Sequence, residues 1–239
     1  MAIKFKVAWF LAEILCLAVY SCANLHAQAG SPFDPVKNDP TLPRVLIVGD
    51  SISIGYTLPV RTLLKDKANV HRIPVNGEYS ANGLAHIREW LGDEKWDVIY
   101  FNWGIWDTHL LDGNGQIIID KSVDIGSAKI RTTIAEYQHN LNRLLDIMQP
   151  TGAKLVWASS TPITSRKRLE DIVDYNKAAA GVMSSRHVTI DDLYSVIEPH
   201  ASKMQIDDGC HFTLQGYEYL GQHVAESIVA ALSANADHL

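Results

Sequence analysis

The sequence predicts an α/β domain, a parallel sheet of five strands covered by helices on both faces. Three observations carry this expectation. Five short apolar runs recur along residues 44–239. Stretches with helical apolar spacing separate them. The chain has 239 residues, 47% hydrophobic and 20% charged, enough to bury a core as one domain and too apolar for disorder as the main state.

In chain order, residues 1–29 stand apart. Lys4 and Lys6 precede an apolar run over 7–23, and Ala27-Gln28-Ala29 follows. A basic start, an apolar middle and a small-x-small end are the pattern of a secretory signal peptide. Cleavage after Ala29 is expected, giving a secreted or periplasmic protein with no stable membrane association. Two readings compete: lipoprotein processing at Cys22, and retention as a membrane anchor. Against an anchor, the run is short, and Glu13 lies inside it, where an acid costs roughly 2.5–3.5 kcal/mol. Cys16 and Cys22 fall in this leader, leaving Cys210. An internal disulfide or a cysteine-based zinc site is therefore excluded from the mature chain.

Residues 30–43, rich in Pro, Asp and Asn, read as a linker, and 44–239 as one domain. Residues 45–48 form the first apolar run, the mark of a strand buried on both faces. Gly49-Asp50-Ser51 follows, where the strand turns into a helix. Further strands are expected at 70–75, 98–101, 155–158 and 188–190. Helices are expected at 81–92 (Leu84, Ile87, Leu91), 127–148 (Ile130, Ile134, Tyr137, Leu141, Leu144, Met148), 168–183 and 214–232. Pro150 stops the second of these. Residues 107–126 form a long loop with a small hairpin around Asp112-Gly113-Asn114-Gly115. Strand–helix alternation of this kind builds a parallel sheet with helices on both sides.

In such a sheet, ligands bind at the carboxyl ends of the strands. Polar and glycine-rich segments fall at those ends: Gly49–Ser51, Asn76-Gly77-Glu78, 102–107 and Ser159–Thr161. Asp208-Gly209-Cys210-His211 follows the last strand. A hydrolytic nucleophile needs a base within reach, and the base needs an orienting group. Ser51 can project from the sheet edge. Asp208 and His211 are spaced so that the carboxylate can reach the imidazole. Each residue also has a plainer role open to it: Ser51 as a helix N-cap, Asp208-Gly209 as a turn, His211 as a surface histidine. Their joint occurrence favours the chemistry. Asp207, Asp208 and His211 lack a further well-placed metal ligand, so no metal is expected. The net charge of −6, with no basic stripe, argues against nucleic acid as a partner.

Gly49-Asp50-Ser51-Ile52-Ser53 resembles the first sequence block of the SGNH, or GDSL-type, hydrolase superfamily. Asp208-Gly209-Cys210-His211-Phe212-Thr213, with Gly216, resembles its last block, and 77–85 its second. The resemblance implies a three-layer, flavodoxin-like α/β/α sandwich. It implies Ser51 as nucleophile, His211 as general base and acid, and Asp208 as its orienter, with no cofactor. It also implies an oxyanion hole containing the N–H groups of Ser51 and Gly77. The third block departs from the family's Gly-x-Asn-Asp: aligning Gly104 and Asp107 puts Trp106 in the Asn position. Asn102, or the Trp106 indole, is the candidate for the remaining donor, unless the hole keeps two donors. Trp103, Trp106 and His109 are candidates to line the substrate pocket.

The expected activity is that of a serine esterase acting on short acyl esters, acetyl groups on carbohydrates first, because no long apolar lid is evident. A lysophospholipase or thioesterase of the same family, an acyltransferase and a non-catalytic glycan-binding module are alternatives. A flavodoxin-like phosphate binder would leave Asp208 and His211 without a role.

Overall fold

The computed structural model describes residues 30–118, 126–164 and 171–234. The expected leader over 1–29 lies outside them, as do 119–125 of the long loop and the start of the expected helix at 168–170. The chain divides into Met1–Ser31 and a compact unit, Pro32–Leu239, and the following concerns the second.

The sheet holds β1 (Arg44–Val48), β2 (Asn69–Arg72), β3 (Val98–Phe101), β6 (Lys154–Ala158) and β7 (Thr189–Asp191), in the order β2-β1-β3-β6-β7. All pairings are parallel. The three inner strands are almost wholly buried, and so they read as continuous apolar runs. The expected second strand ends early, because at Pro74 the backbone has no N–H to give the ladder.

Helices connect the strands: α1 (Ser51–Leu63), α2 (Ser80–Leu91), α3 (Ile134–Met148), α4 (Ile172–Ser185), α5 (Leu193–Ile197), α6 (Ala201–Met204) and α7 (Leu214–Ser233). Parallel crossovers are right-handed. The chain steps one way from β1 to β2 and the other way from β2 to β3. That reversal puts α1 on one face, where it packs on α7, and α2, α3 and α4 in a row on the other. The reversal also leaves a crevice at the carboxyl end of β1, the usual ligand position in open sheets.

The helix expected from 127 begins instead at Ile134. Thr133 and Glu136 form a capping box, each side chain accepting from the other residue's backbone N–H, and this sets the start. Ile130, which extends the apolar spacing, lies in β5 (Lys129–Ile130), paired antiparallel with β4 (Leu110–Leu111). The tight turn expected at 112–115 is present: Asp112 Oδ1 accepts from the N–H groups of Asn114 and Gln116, and Leu111 bridges to Ile117.

Residues 38–43, expected as linker, are laid against the edge strand β2. Asn69 donates through Nδ2 to the carbonyls of Asp39 and Leu42 and accepts from the Asp39 N–H. The Asn69 side chain thus anchors the segment at the edge strand. No described helix is long and apolar enough to cross a membrane.

Candidate active site

β1 delivers the chain to the crevice, and Asp50 starts α1. Asp50 is the N-cap: its Oδ1 accepts from the Ile52 N–H at 3.0 Å, and its carbonyl accepts from the Ile54 N–H. Ser51 is therefore the first helical residue rather than the cap. Its hydroxyl is free for other work, and its own N–H has no partner among the described residues.

Ser51 Oγ lies 2.8 Å from His211 Nε2, and His211 Nδ1 lies 2.6 Å from Asp208 Oδ2. A carboxylate only accepts, so Nδ1 donates to it, and in the neutral imidazole Nε2 is then the acceptor for the Ser51 hydroxyl. The segment before α7 is built to hold this geometry. Gly209 sits at φ +64°, a conformation that favours glycine, and its carbonyl accepts from the Thr164 N–H at 2.8 Å. Asp208 Oδ1 accepts from the N–H groups of Cys210 and His211, both at 2.8 Å. Desolvation pushes the Asp208 carboxyl upward. The bonds from the His211 side chain and from the two backbone N–H groups outweigh it and hold the carboxyl below its ordinary value.

The expected oxyanion donors fare differently. The Gly77 N–H donates to the Gly49 carbonyl at 2.9 Å, which removes it from the hole. This is a correction with a steric cause: the two loops touch so closely that a Cβ on Gly77 would lie 2.9 Å from the Gly49 oxygen. Asn102 is corrected too. Buried at the end of β3, it donates through Nδ2 to the Ala158 carbonyl at 2.7 Å and to Ser160 Oγ at 3.1 Å. Both amide hydrogens are used in tying β3 to β6. Besides the Ser51 N–H, the backbone N–H groups of Ala81 and Asn82, in the first turn of α2, have no partner among the described residues. The general rule that a helix start leaves orphan donors is the signal that could have found them.

Of the three residues expected to line a pocket, Trp103 does not. It is fully buried and donates its indole N–H to the Gly77 carbonyl at 3.3 Å. His109 is 7% exposed, and its Nδ1 lies 2.9 Å from the Trp106 carbonyl. Trp106 is half-buried, its ring 5.0 Å from that of His109. Its indole N–H has no partner among the described residues and stays open to a ligand.

Sequence reasoning missed two buried acids. Asp107 accepts from Ser80 through both the N–H and the hydroxyl and so holds the start of α2. Burial pushes its carboxyl up to about 6, against the Ser80 bonds, the Thr132 hydroxyl and the Arg131 charge. Asp50 is 1% exposed, and burial likewise raises it to about 6, opposed by the Ile52 N–H and the charges of His211 and Arg72.

A carboxyl whose folded pKa exceeds its unfolded one loses stability as pH rises between the two values, here from about 4 to about 6. For Asp50 the difference from 3.8 corresponds to roughly 3 kcal/mol. Asn at this position keeps an oxygen for the Ile52 N–H and removes the ionisation. In urea unfolding between about pH 4 and pH 7, Asp50→Asn is expected to decline less steeply with pH than wild type, the slope that remains coming from the other carboxyls that burial raises, Asp107 and Asp191. Parallel declines in the two proteins would exclude a raised Asp50.

No family model and no curated protein matches the chain. Solved structures do. A lipase/acylhydrolase from Enterococcus faecalis is 21% identical with TM-score 0.62, over 79% of this chain and 96% of that one. An acetyl xylan esterase is 14% identical with TM-score 0.62, over 77% and 99%. A GDSL-like lipase from Bacteroides thetaiotaomicron is 16% identical with TM-score 0.57, over 79% and 89%. The architecture expected from the sequence, the fold of the SGNH hydrolases, is the one these structures share with the chain.

Proposed function

We propose, for a chain with the fold of the SGNH hydrolases, that it is a serine esterase that removes short acyl groups, acetyl first, from carbohydrates. The observation that carries the reading is the unbroken relay from Ser51 through His211 to Asp208, placed where the sheet reverses its strand order.

In this reading Ser51 Oγ attacks the ester carbonyl as its proton passes to His211 Nε2. Asp208 stabilises the imidazolium so formed. The N–H of Ser51 and the open N–H groups of the first turn of α2 receive the developing oxyanion, aided by the positive end of the helix. Collapse of the tetrahedral centre breaks the bond to the alcohol, which leaves with the proton from His211. Water, deprotonated by the same imidazole, then frees the acid and restores Ser51.

Three things support a short acyl group on a carbohydrate. One structural neighbour is an acetyl xylan esterase. The leader pattern suits an extracytoplasmic glycan. Trp106 is half-buried, and its open indole N–H can donate to a sugar oxygen.

The test is a series of 4-nitrophenyl esters from acetyl to dodecanoyl, with an acetylated xylo-oligosaccharide beside it. The expected result is the highest kcat/KM for acetyl and a fall with each lengthening. A maximum at long acyl chains would overturn the short-acyl reading, and no turnover of any ester would overturn the esterase itself.

A further inference from the structure

Arg131 is a residue that the mechanism leaves unused. We infer that Arg131, held between Tyr79 and Trp106, receives a carboxylate on the substrate, so that the esters hydrolysed are carried by acidic carbohydrates. The inference rests on the esterase reading for its substrate class, while the anion site stands on its own geometry.

The guanidinium carbon lies 4.6 Å from the centre of the Tyr79 ring and 5.6 Å from that of Trp106. Both contacts are cation–π in kind and orient the planar group. The side chain is partly buried, and no hydrogen bond or ion pair of its guanidinium occurs among the described residues. A guanidinium flanked by rings offers its N–H edge, and that edge matches the two oxygens of a carboxylate. The Arg131 charge is felt by the Asp107 carboxylate. Its oxygens already accept from Ser80 and Thr132, so the fork remains unfilled.

The placement ties Arg131 to the crevice. In the order β2-β1-β3, the loops after β2 and β3 flank the loop that carries Ser51. Tyr79 ends the first of these and Trp106 lies in the second, so Arg131 spans the pair. A second feature has the same sign. The first turn of α2, which Tyr79 caps, contains no acidic residue and has the open N–H groups of Ala81 and Asn82. Asp107 answers the Ser80 N–H of that turn, and the two N–H groups beyond it remain donors for an anionic ligand.

The test is binding of D-glucuronate, D-glucose and D-glucose 6-phosphate to the purified protein by calorimetry, in wild type, Arg131→Gln and Arg131→Lys. Wild type is expected to bind glucuronate at least about ten-fold more tightly than glucose, with a preference that shrinks as salt is raised. Arg131→Gln should abolish the preference, and Arg131→Lys should recover part of it. Equal binding of the two sugars, binding of neither, or a preference for the phosphate over glucuronate in wild type would overturn the inference. A Gln variant that weakens both sugars alike would assign Arg131 to bracing the two loops instead. Because binding is read without turnover, glucuronate preference in a protein that hydrolyses no ester would overturn the esterase reading and leave the anion site standing.

Discussion

Ser51→Ala is expected to lower kcat/KM for 4-nitrophenyl acetate by at least about 10³-fold, with the fold intact. The second half of that statement follows from the geometry. Ser51 Oγ is bonded to His211, while the cap of α1 is Asp50, so the substitution removes no helix-capping bond. The melting temperature should therefore stay close to that of wild type, within what about 0.5 kcal/mol allows. A phosphonofluoridate should label wild type at one site and leave the variant unlabelled. Retained turnover in the variant, or labelling at another serine, would move the nucleophile elsewhere.

Asp208→Asn carries the next largest expected effect. Its amide N–H would face His211 Nδ1 and force that nitrogen to accept. The ring proton then moves to Nε2, which faces Ser51 and can no longer take its proton. A loss of about 10²–10⁴-fold in kcat follows, since a wrong imidazole tautomer in a triad of this kind costs that much. The Asn oxygen can still accept from the N–H groups of Cys210 and His211, so the turn should survive. Asp208→Ala is the informative partner, because it removes the orienter without imposing a tautomer, and its loss should be no greater than that of Asn. Its stability effect has the opposite pH sign to that of Asp50. The Asp208 carboxyl is held below its ordinary value, so its contribution is present above that value and fades as pH falls through the folded one. Wild-type kinetics in either variant would remove Asp208 from the relay.

How far the site could be read in advance differs residue by residue. The Ser51–His211–Asp208 geometry was accessible from local pattern, because a strand-to-helix turn and a three-residue spacing each restrict where a side chain can go. Arg131 was not. Its neighbours Tyr79 and Trp106 come from two other loops, and no periodicity relates the three. The start of α3 was misplaced for a similar reason: Ile130 continues the helical spacing, and the capping box at Thr133 overrides it.

The layering of the sheet, and the strand edge at which Ser51, Asp208 and His211 meet, were legible in the sequence. These follow from apolar period, from turn residues and from the handedness of crossovers, all of which act over short stretches of chain. Which hydrogen-bond donors remain open is settled by packing between distant parts of the chain. Gly77 and Asn102 are donors of the right kind, yet one is closed by Gly49 and the other by Ala158, 56 residues away. Whether an N–H is free depends on every acceptor the fold brings within 3 Å or so of it, and loops distant in sequence supply those acceptors.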